Sequence, residues 1–197
     1  NLITNQVLQM KFAFSEISLP KRGSLAVPVY ADNSFSSTAK EVDNITGGVL
    51  SRALETSRFK GKKGDILEIL APSGLDVSRV ILFGLGENAE LTQTDLEDLG
   101  GTLVRKLNSS GARNVTVILD DLGDCPVKDS DAAARVAFGA KLCSYRFTRY
   151  KTKDDPSSEP SLVRMTVACK TSSGARKIFQ DLEAIAEGVF MTWDLVS

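Results

Sequence analysis

The chain of 197 residues contains no histidine. Without an imidazole there is no Ser-His or Cys-His nucleophile pair and no histidine-containing zinc site. Chemistry performed by these residues alone would fall to carboxylates, lysines or a bound cofactor. Cysteine is scarce as well. Cys125, Cys143 and Cys169 form an odd set without C-x-x-C spacing, which reads as reduced, partly buried thiols and not as a disulfide framework. No apolar run approaches the roughly 18 residues that suggest a membrane span. Asn1 to Gln9 carries neither a basic n-region nor a long apolar stretch, so it is not a secretory signal. The net charge is -1, which argues against a general nucleic-acid-binding surface. What is present is ordinary for a globular protein: 42% apolar and 25% charged residues, enough for one sizeable domain or a domain plus a connecting helix.

Hydrophobic periodicity predicts strands alternating with helices. Lys11 to Ile17 reads as a strand with Phe12 and Phe14 on one face. Leu25, Val27 and Val29 alternate on a second strand, in which Pro28 marks an edge or a bulge. These two strands could pair as a hairpin across the turn Pro20 to Gly23. A helix is expected from about Thr38 to Ser57, with the stripe Val42, Ile45, Val49, Leu50 and Ala53. Gly47-Gly48 weakens it by about 1 kcal/mol per glycine, so close packing is expected to compensate. Strands follow over Asp65 to Ala71 and Arg79 to Leu85, the latter apolar enough to be covered on both faces. Thr94-Asp95-Leu96-Glu97 reads as a capping box opening the next helix, which Gly111 closes. Asn114 to Leu119 is a buried-type strand. Asp129 or Ser130 starts an Ala-rich helix with a small face (Ala132, Ala133, Val136, Ala137, Ala140). Lys153 to Pro160 is a polar surface loop, and Ser161 to Cys169 is the last strand. The pattern is that of an α/β layer fold with a largely parallel or mixed sheet.

The final stretch, Ser172 to Ser197, reads as one long amphipathic helix capped by Ser172 or Ser173. Ala175, Ile178, Phe179, Leu182, Ile185, Ala186, Val189 and Phe190 recur at steps of three and four. No Gly, Pro or basic last turn ends it, so it reads as a helix leading into further polypeptide. Met10 is placed to be the natural initiator.

Four stretches are candidates for chemistry. Gly84-Leu85-Gly86 lies between a buried strand and a helix, where phosphate loops occur. Position 89 is Ala89 where a third glycine would be needed, and Glu87 and Glu90 disfavour phosphate. The alternative is a turn that needs positive φ. Ser144 to Lys153 interleaves three aromatics with four basic residues. It could contact nucleic acid through Arg146, Arg149, Lys151 and Lys153, hold a protein interface, or finish the core while the cations reach outward. Asp120, Asp121, Asp124, Asp129 and Asp131 lack the pattern of a calcium loop and read as helix N-terminal and loop charge. Lys60, Lys62 and Lys63 read as a solvated turn.

Val80-Ile81-Leu82-Phe83-Gly84-Leu85-Gly86, the segment Ala137-Phe138-Gly139-Ala140-Lys141-Leu142-Cys143-Ser144-Tyr145-Arg146-Phe147 with Tyr150-Lys151-Thr152-Lys153, and the terminal Ala186-Glu187-Gly188-Val189-Phe190-Met191-Thr192-Trp193-Asp194-Leu195-Val196-Ser197 together resemble the N-terminal domain of the leucyl aminopeptidase (cytosol aminopeptidase, M17) family. Trp193 stands where relatives usually carry arginine, so an ion pair at the domain junction would be lost. The resemblance implies a three-layer, macro-domain-like α/β fold, with a mixed, mostly parallel sheet between helices and a long C-terminal connecting helix. Residues 1–9 are then upstream or added sequence, 10–171 the macro-like domain, and 172–197 the helix toward a C-terminal catalytic domain. It further implies a cytoplasmic, hexameric metalloexopeptidase that releases N-terminal amino acids, often leucine, from peptides. Two divalent metal ions (zinc or manganese) would be bound by that other domain. The metal-ligand motifs of the family do not occur here, so no catalytic, cofactor-binding or metal-ligating residue is expected in this chain. Its implied role is assembly and active-site access. Macro domains elsewhere bind ADP-ribose, and some bacterial aminopeptidases bind DNA, which leaves a nucleotide-binding or DNA-binding accessory role as the alternative.

Overall fold

A computed structural model describes residues 9–149 and 159–196, with the backbone alone at 147–149. Seven strands form one sheet: β1 (Lys11–Ser15), β2 (Ser24–Tyr30), β3 (Ser34–Phe35), β4 (Ile66–Leu70), β5 (Arg79–Gly86), β6 (Asn114–Ile118) and β7 (Arg164–Ala168). The helices are α1 (Ser37–Ile45), α2 (Val49–Thr56), α3 (Gln93–Ser109), α4 (Asp129–Arg149) and α5 (Ser172–Leu195). The strand order is β1-β7-β6-β2-β5-β4, with β3 added against β2. All pairings are parallel except β4 on β5 and β3 on β2.

The expected hairpin of the first two strands does not form. β1 pairs with β7, so two strands lie between β1 and β2. A hairpin would bury only one face of β2. In the centre of the sheet, Leu25, Val27 and Val29 bury against α1 and α2, and Ala26 buries under the opposite helices. Pro28 fits because it lies past the last residue of β2 that β6 pairs with, Ala26. It occupies a local edge, and a register shift follows at Val29/Tyr30.

The sheet is sandwiched between two helical layers. The larger core lies beneath α3, α4 and α5, and the smaller beneath α1 and α2. β5 serves both: Ile81, Phe83 and Leu85 point to the first, Val80 and Leu82 to the second. The predicted helix over 38–57 is two helices. Gly47 and Gly48 both have positive φ, and Gly48 starts α2, so the pair forms a corner and not a weak helical turn. Asp43 fixes that corner by accepting from Ser51 N and Ser51 Oγ.

Two caps also differ from expectation. The capping box of α3 is Thr92 with Asp95, not Thr94 with Glu97, so the helix starts at Gln93. α5 begins after Thr171, whose side chain makes no capping bond; Ser172 and Ser173 are not caps. The carboxylate of Asp129 instead accepts from Thr171 N. Phe179 on α5 meets Phe12 and Phe14 of β1 at centroid distances of 5.3 and 5.4 Å. Ala175, Leu182 and Ala186 complete the buried face. Ile185, assigned to that face by periodicity, is 57% exposed.

Candidate functional site

In an open parallel sheet, ligands bind outside the carboxyl ends of the strands where the connections diverge. Here that point lies between β6 and β2, because β2 leads toward β5 while β6 leads toward β7. The chain's own side chains hydrogen-bond across it. Asp121 Oδ2 accepts from Ser37 N at 2.5 Å and Ser37 Oγ at 2.7 Å, and Asp120 Oδ2 accepts from Thr38 N at 2.7 Å. Two carboxylates thus occupy the N-terminus of α1, the place where an anion would sit. Tyr30 Oη donates to the Asp120 carbonyl, and Asn88 Nδ2 donates to the Asp121 carbonyl at 2.9 Å. Burial, then the charges of Asp120 and Asp121, push the Tyr30 phenol above its ordinary range. Tyr30 is therefore a neutral donor at physiological pH. This constellation was not singled out from sequence. Its signal was a polar residue at the end of one buried strand, Tyr30, and just beyond two others, Asn88 and Asp120.

The glycine loop is equally committed. Gly84 N donates to the Asp65 carbonyl at 2.9 Å, and Gly86 N to the Gly61 carbonyl at 2.8 Å. Neither amide is left for a phosphate. A Cβ on Gly84 would strike the backbone of Lys62, so that glycine permits close approach of the turn, and Gly86 supplies a positive φ. Within the same turn, Lys60 N and Lys62 N donate to Asp65 Oδ2. Lys63 is not merely solvated: its Nζ lies 2.8 Å from Asp95 Oδ2.

Of the aromatic and basic segment, Tyr145 stacks on Phe190 of α5 at 3.8 Å between centroids. Trp193 lies 6.0 Å from Tyr145, and the Arg146 guanidinium sits 4.4 Å over the Trp193 ring. Tyr145 Oη donates to Asp194 Oδ1 at 2.5 Å. The aromatics thus clamp the ends of α4 and α5 together, with Arg146 as a cation–π lid. Tyr150, Lys151, Lys153 and the loop to 158 lie outside the described residues, as does the side chain of Arg149.

Of the other acidic residues of the Asp120 to Asp131 cluster, Asp129 and Asp131 serve structure. Asp131 accepts from Arg135 Nε and Gln93 Nε2, and Asp129 from Thr171 N. Among the described residues no group of three or more His, Cys, Asp or Glu could hold a metal ion. These residues therefore do not fit a dinuclear metal centre, and no step of peptide hydrolysis is assigned to them. The cysteines are unpaired; burial pushes the Cys169 thiol up to about 12.

Residues 26–154 match the sequence profile of the cytosol aminopeptidase family, N-terminal domain. The chain belongs to this family. A probable cytosol aminopeptidase of Rhodopseudomonas palustris is 36% identical over 93% of the chain. The chain spans only 36% of that relative's length. Among solved structures, a tomato leucine aminopeptidase mutant superimposes with a TM-score of 0.75 at 21% identity, over 94% of this chain and 38% of the other. An Oceanobacillus iheyensis macrodomain mutant superimposes with a TM-score of 0.65 at 11% identity, over 88% of this chain and 92% of the other. The fold is thus the macro-domain-like one that the family resemblance implied. In this domain of the cytosol aminopeptidase family, Asp120, Asp121, Tyr30 and Asn88 at the strand ends hydrogen-bond to the chain's own groups. No helix among the described residues is long and apolar enough to cross a membrane.

Proposed function

We propose that this chain is the non-catalytic N-terminal part of a cytoplasmic, dinuclear-metal leucyl aminopeptidase that releases N-terminal amino acids from peptides during intracellular protein turnover. Residues 10–171 form the macro-like domain, preceded by upstream or added residues 1–9. Residues 172–197 carry the chain toward a C-terminal domain that binds two zinc or manganese ions. The assembly is a homohexamer in which this part supports subunit contacts and limits access to the active sites. No residue of this chain is catalytic, metal-ligating or cofactor-binding.

The observation that carries this reading is the exposed apolar end of α5. Leu195 and Val196 are 87% and 81% exposed, and Met191 and Ile185 are also open to solvent, beside the Tyr145, Phe190 and Trp193 cluster that holds the helix in place. An apolar surface of this kind on a rigidly held helix suits burial against another domain. That the chain spans only 36% of a probable cytosol aminopeptidase supports this reading. The test is release of p-nitroaniline from leucine p-nitroanilide with manganese or zinc added. This chain should show no turnover, and a polypeptide extended to the relatives' length should show metal-dependent turnover. Robust turnover by this chain alone overturns the reading.

A further inference from the structure

A cavity of about 180 Å³ lies between the turn at residues 63–65, the end of β5 and the first half of α3. Its floor is apolar: Leu85, Leu91 and Leu99 are buried, with Ile66 beside them. Its rim is charged, with Lys63, Asp65, Asp95 and Asp98. The one cation is already engaged, since Lys63 Nζ donates to Asp95 Oδ2 at 2.8 Å and to the Glu90 carbonyl at 3.0 Å. Asp65 Oδ2 takes only the neutral amides of Lys60 and Lys62. Asp98 is exposed and makes no hydrogen bond or ion pair among the described residues. The wall of the cavity is thus greasy below and anionic above, with two carboxylates that form no ion pair with any cation among the described residues.

We propose that this cavity binds an aliphatic primary ammonium, its branched chain on Leu85, Leu91 and Leu99 and its charged head at Asp98 and Asp65. An anion is excluded by the sign of the rim. An aromatic molecule the size of benzene fits an apolar cavity of about 150 Å³, so the space matches a chain of five or six heavy atoms. Amines and the N-terminal end of a peptide share this chemistry. The site is separate from the peptidase reading, which places catalysis outside this chain.

The probe is isoamylamine, titrated into the isotopically labelled chain while amide signals are followed by NMR. Saturable shifts at Gly64, Leu85, Leu99 and Thr102 are expected, with a Kd of about 1–10 mM for so small a ligand. Isoamyl alcohol has the same shape without the charge and should bind at least about fivefold more weakly, because the paired ammonium carries the specificity. Asp98→Asn should weaken the amine at least about threefold and Asp98→Lys should abolish its binding, since charge reversal replaces attraction by repulsion. Asp98 makes no internal bond, so both variants should keep the parent spectrum away from the cavity. L-leucinamide separates the two sources: affinity above that of isoamylamine assigns the site to peptide N-termini, and equal affinity assigns it to amines in general. Equal affinity for amine and alcohol overturns the proposal, as does the absence of saturable shifts or an unchanged affinity in both Asp98 variants. None of these outcomes depends on whether the extended polypeptide hydrolyses leucine p-nitroanilide, so the two readings fail separately.

Discussion

Three helical glycines allow one substitution to be worked through with opposite expected signs. In an open helix, Gly→Ala adds stability of about 1 kcal/mol, because alanine loses less backbone freedom. Gly188 on α5 is such a site, with nothing among the described residues within 4 Å of an added Cβ. Gly100 and Gly139 are not. A Cβ at Gly100 would overlap the Val136 carbonyl and lie 2.7 Å from Ala140 N. At Gly139 it would overlap the Glu97 carbonyl and lie 2.6 Å from Glu97 Cα. These are backbone atoms of the facing helix, so no rotamer change relieves the clash, and α3 and α4 must separate. Separation strips contact from Leu96, Leu99, Leu103, Ala133, Val136 and Ala137 in the larger core. Overpacking of this kind costs about 1–3 kcal/mol beyond the helix-propensity gain. At about 2–4 °C per kcal/mol for a domain of this size, Gly100→Ala and Gly139→Ala should each lower Tm by about 2–12 °C. Gly188→Ala should raise it by about 2–4 °C on the same scale. The double variant should lose less than the sum, because a gap opened for one Cβ admits the other. Urea denaturation at constant m-value, with Tm by calorimetry, reads all four. Stabilisation by Gly100→Ala or Gly139→Ala would refute the close helix crossing.

Asp121→Ala should cost about 1 kcal/mol by leaving Ser37 N without its acceptor at the start of α1, measured by urea denaturation; an unchanged midpoint would count against the capping role. Burial alone would raise the Asp95 carboxyl, but hydrogen bonds from Lys63 and Thr92 outweigh it and hold the group below its ordinary 3.8. Its contribution to stability is therefore fully present above that value and is lost as pH falls through the lower folded value. Lys63→Met should move the Asp95 titration back up in a carboxyl NMR experiment. Cys169, buried and with its thiol pushed up to about 12, should resist a disulfide reagent at pH 8 until the chain is unfolded. Leu195→Ser should change stability by less than about 0.5 kcal/mol, whereas Phe179→Ala should cost about 3–5 kcal/mol by removing the ring that joins β1 to α5.

The strands and helices of the larger core were legible because their periodicities are clean. β5, β6, α3 and α5 fall close to where alternation and the 3.6-residue stripe put them. Pairing was less legible. Nothing local in Phe12 or Phe14 says that the partner is β7 and not β2; that choice is made by which faces get buried once the sheet assembles. The glycine pair at Gly47-Gly48 could weaken a helix or break it, and only the approach of Ser51 to Asp43 selects the corner. Caps misled for a similar reason: Thr92 and Thr94 both precede acidic residues, and a shift of two residues leaves the stripe almost unchanged. The glycine loop was legible as to place but ambiguous as to role, because amides already taken by carbonyls look the same in sequence as amides awaiting a phosphate. The crevice network around Tyr30 left only the polar residues near the strand ends as a trace, since Tyr30 and its partner Asp120 lie 90 residues apart.

The placement of β1 has a consequence for how the chain is made. Its strand neighbour among the described residues, β7, is synthesised about 150 residues later, and the ring that covers it, Phe179, about 165 residues later. At about 5–20 residues per second, Phe12 and Phe14 must remain without their native strand partner for roughly 8–30 s until the ribosome has passed β7. In the last part of that interval, once β6 has been made, β7's place beside it is vacant as well, and the nascent sheet ends on an open ladder of amides and carbonyls. A later strand therefore decides the fate of an earlier one, and slow or interrupted translation between residues 120 and 170 is where misassembly of this domain would begin.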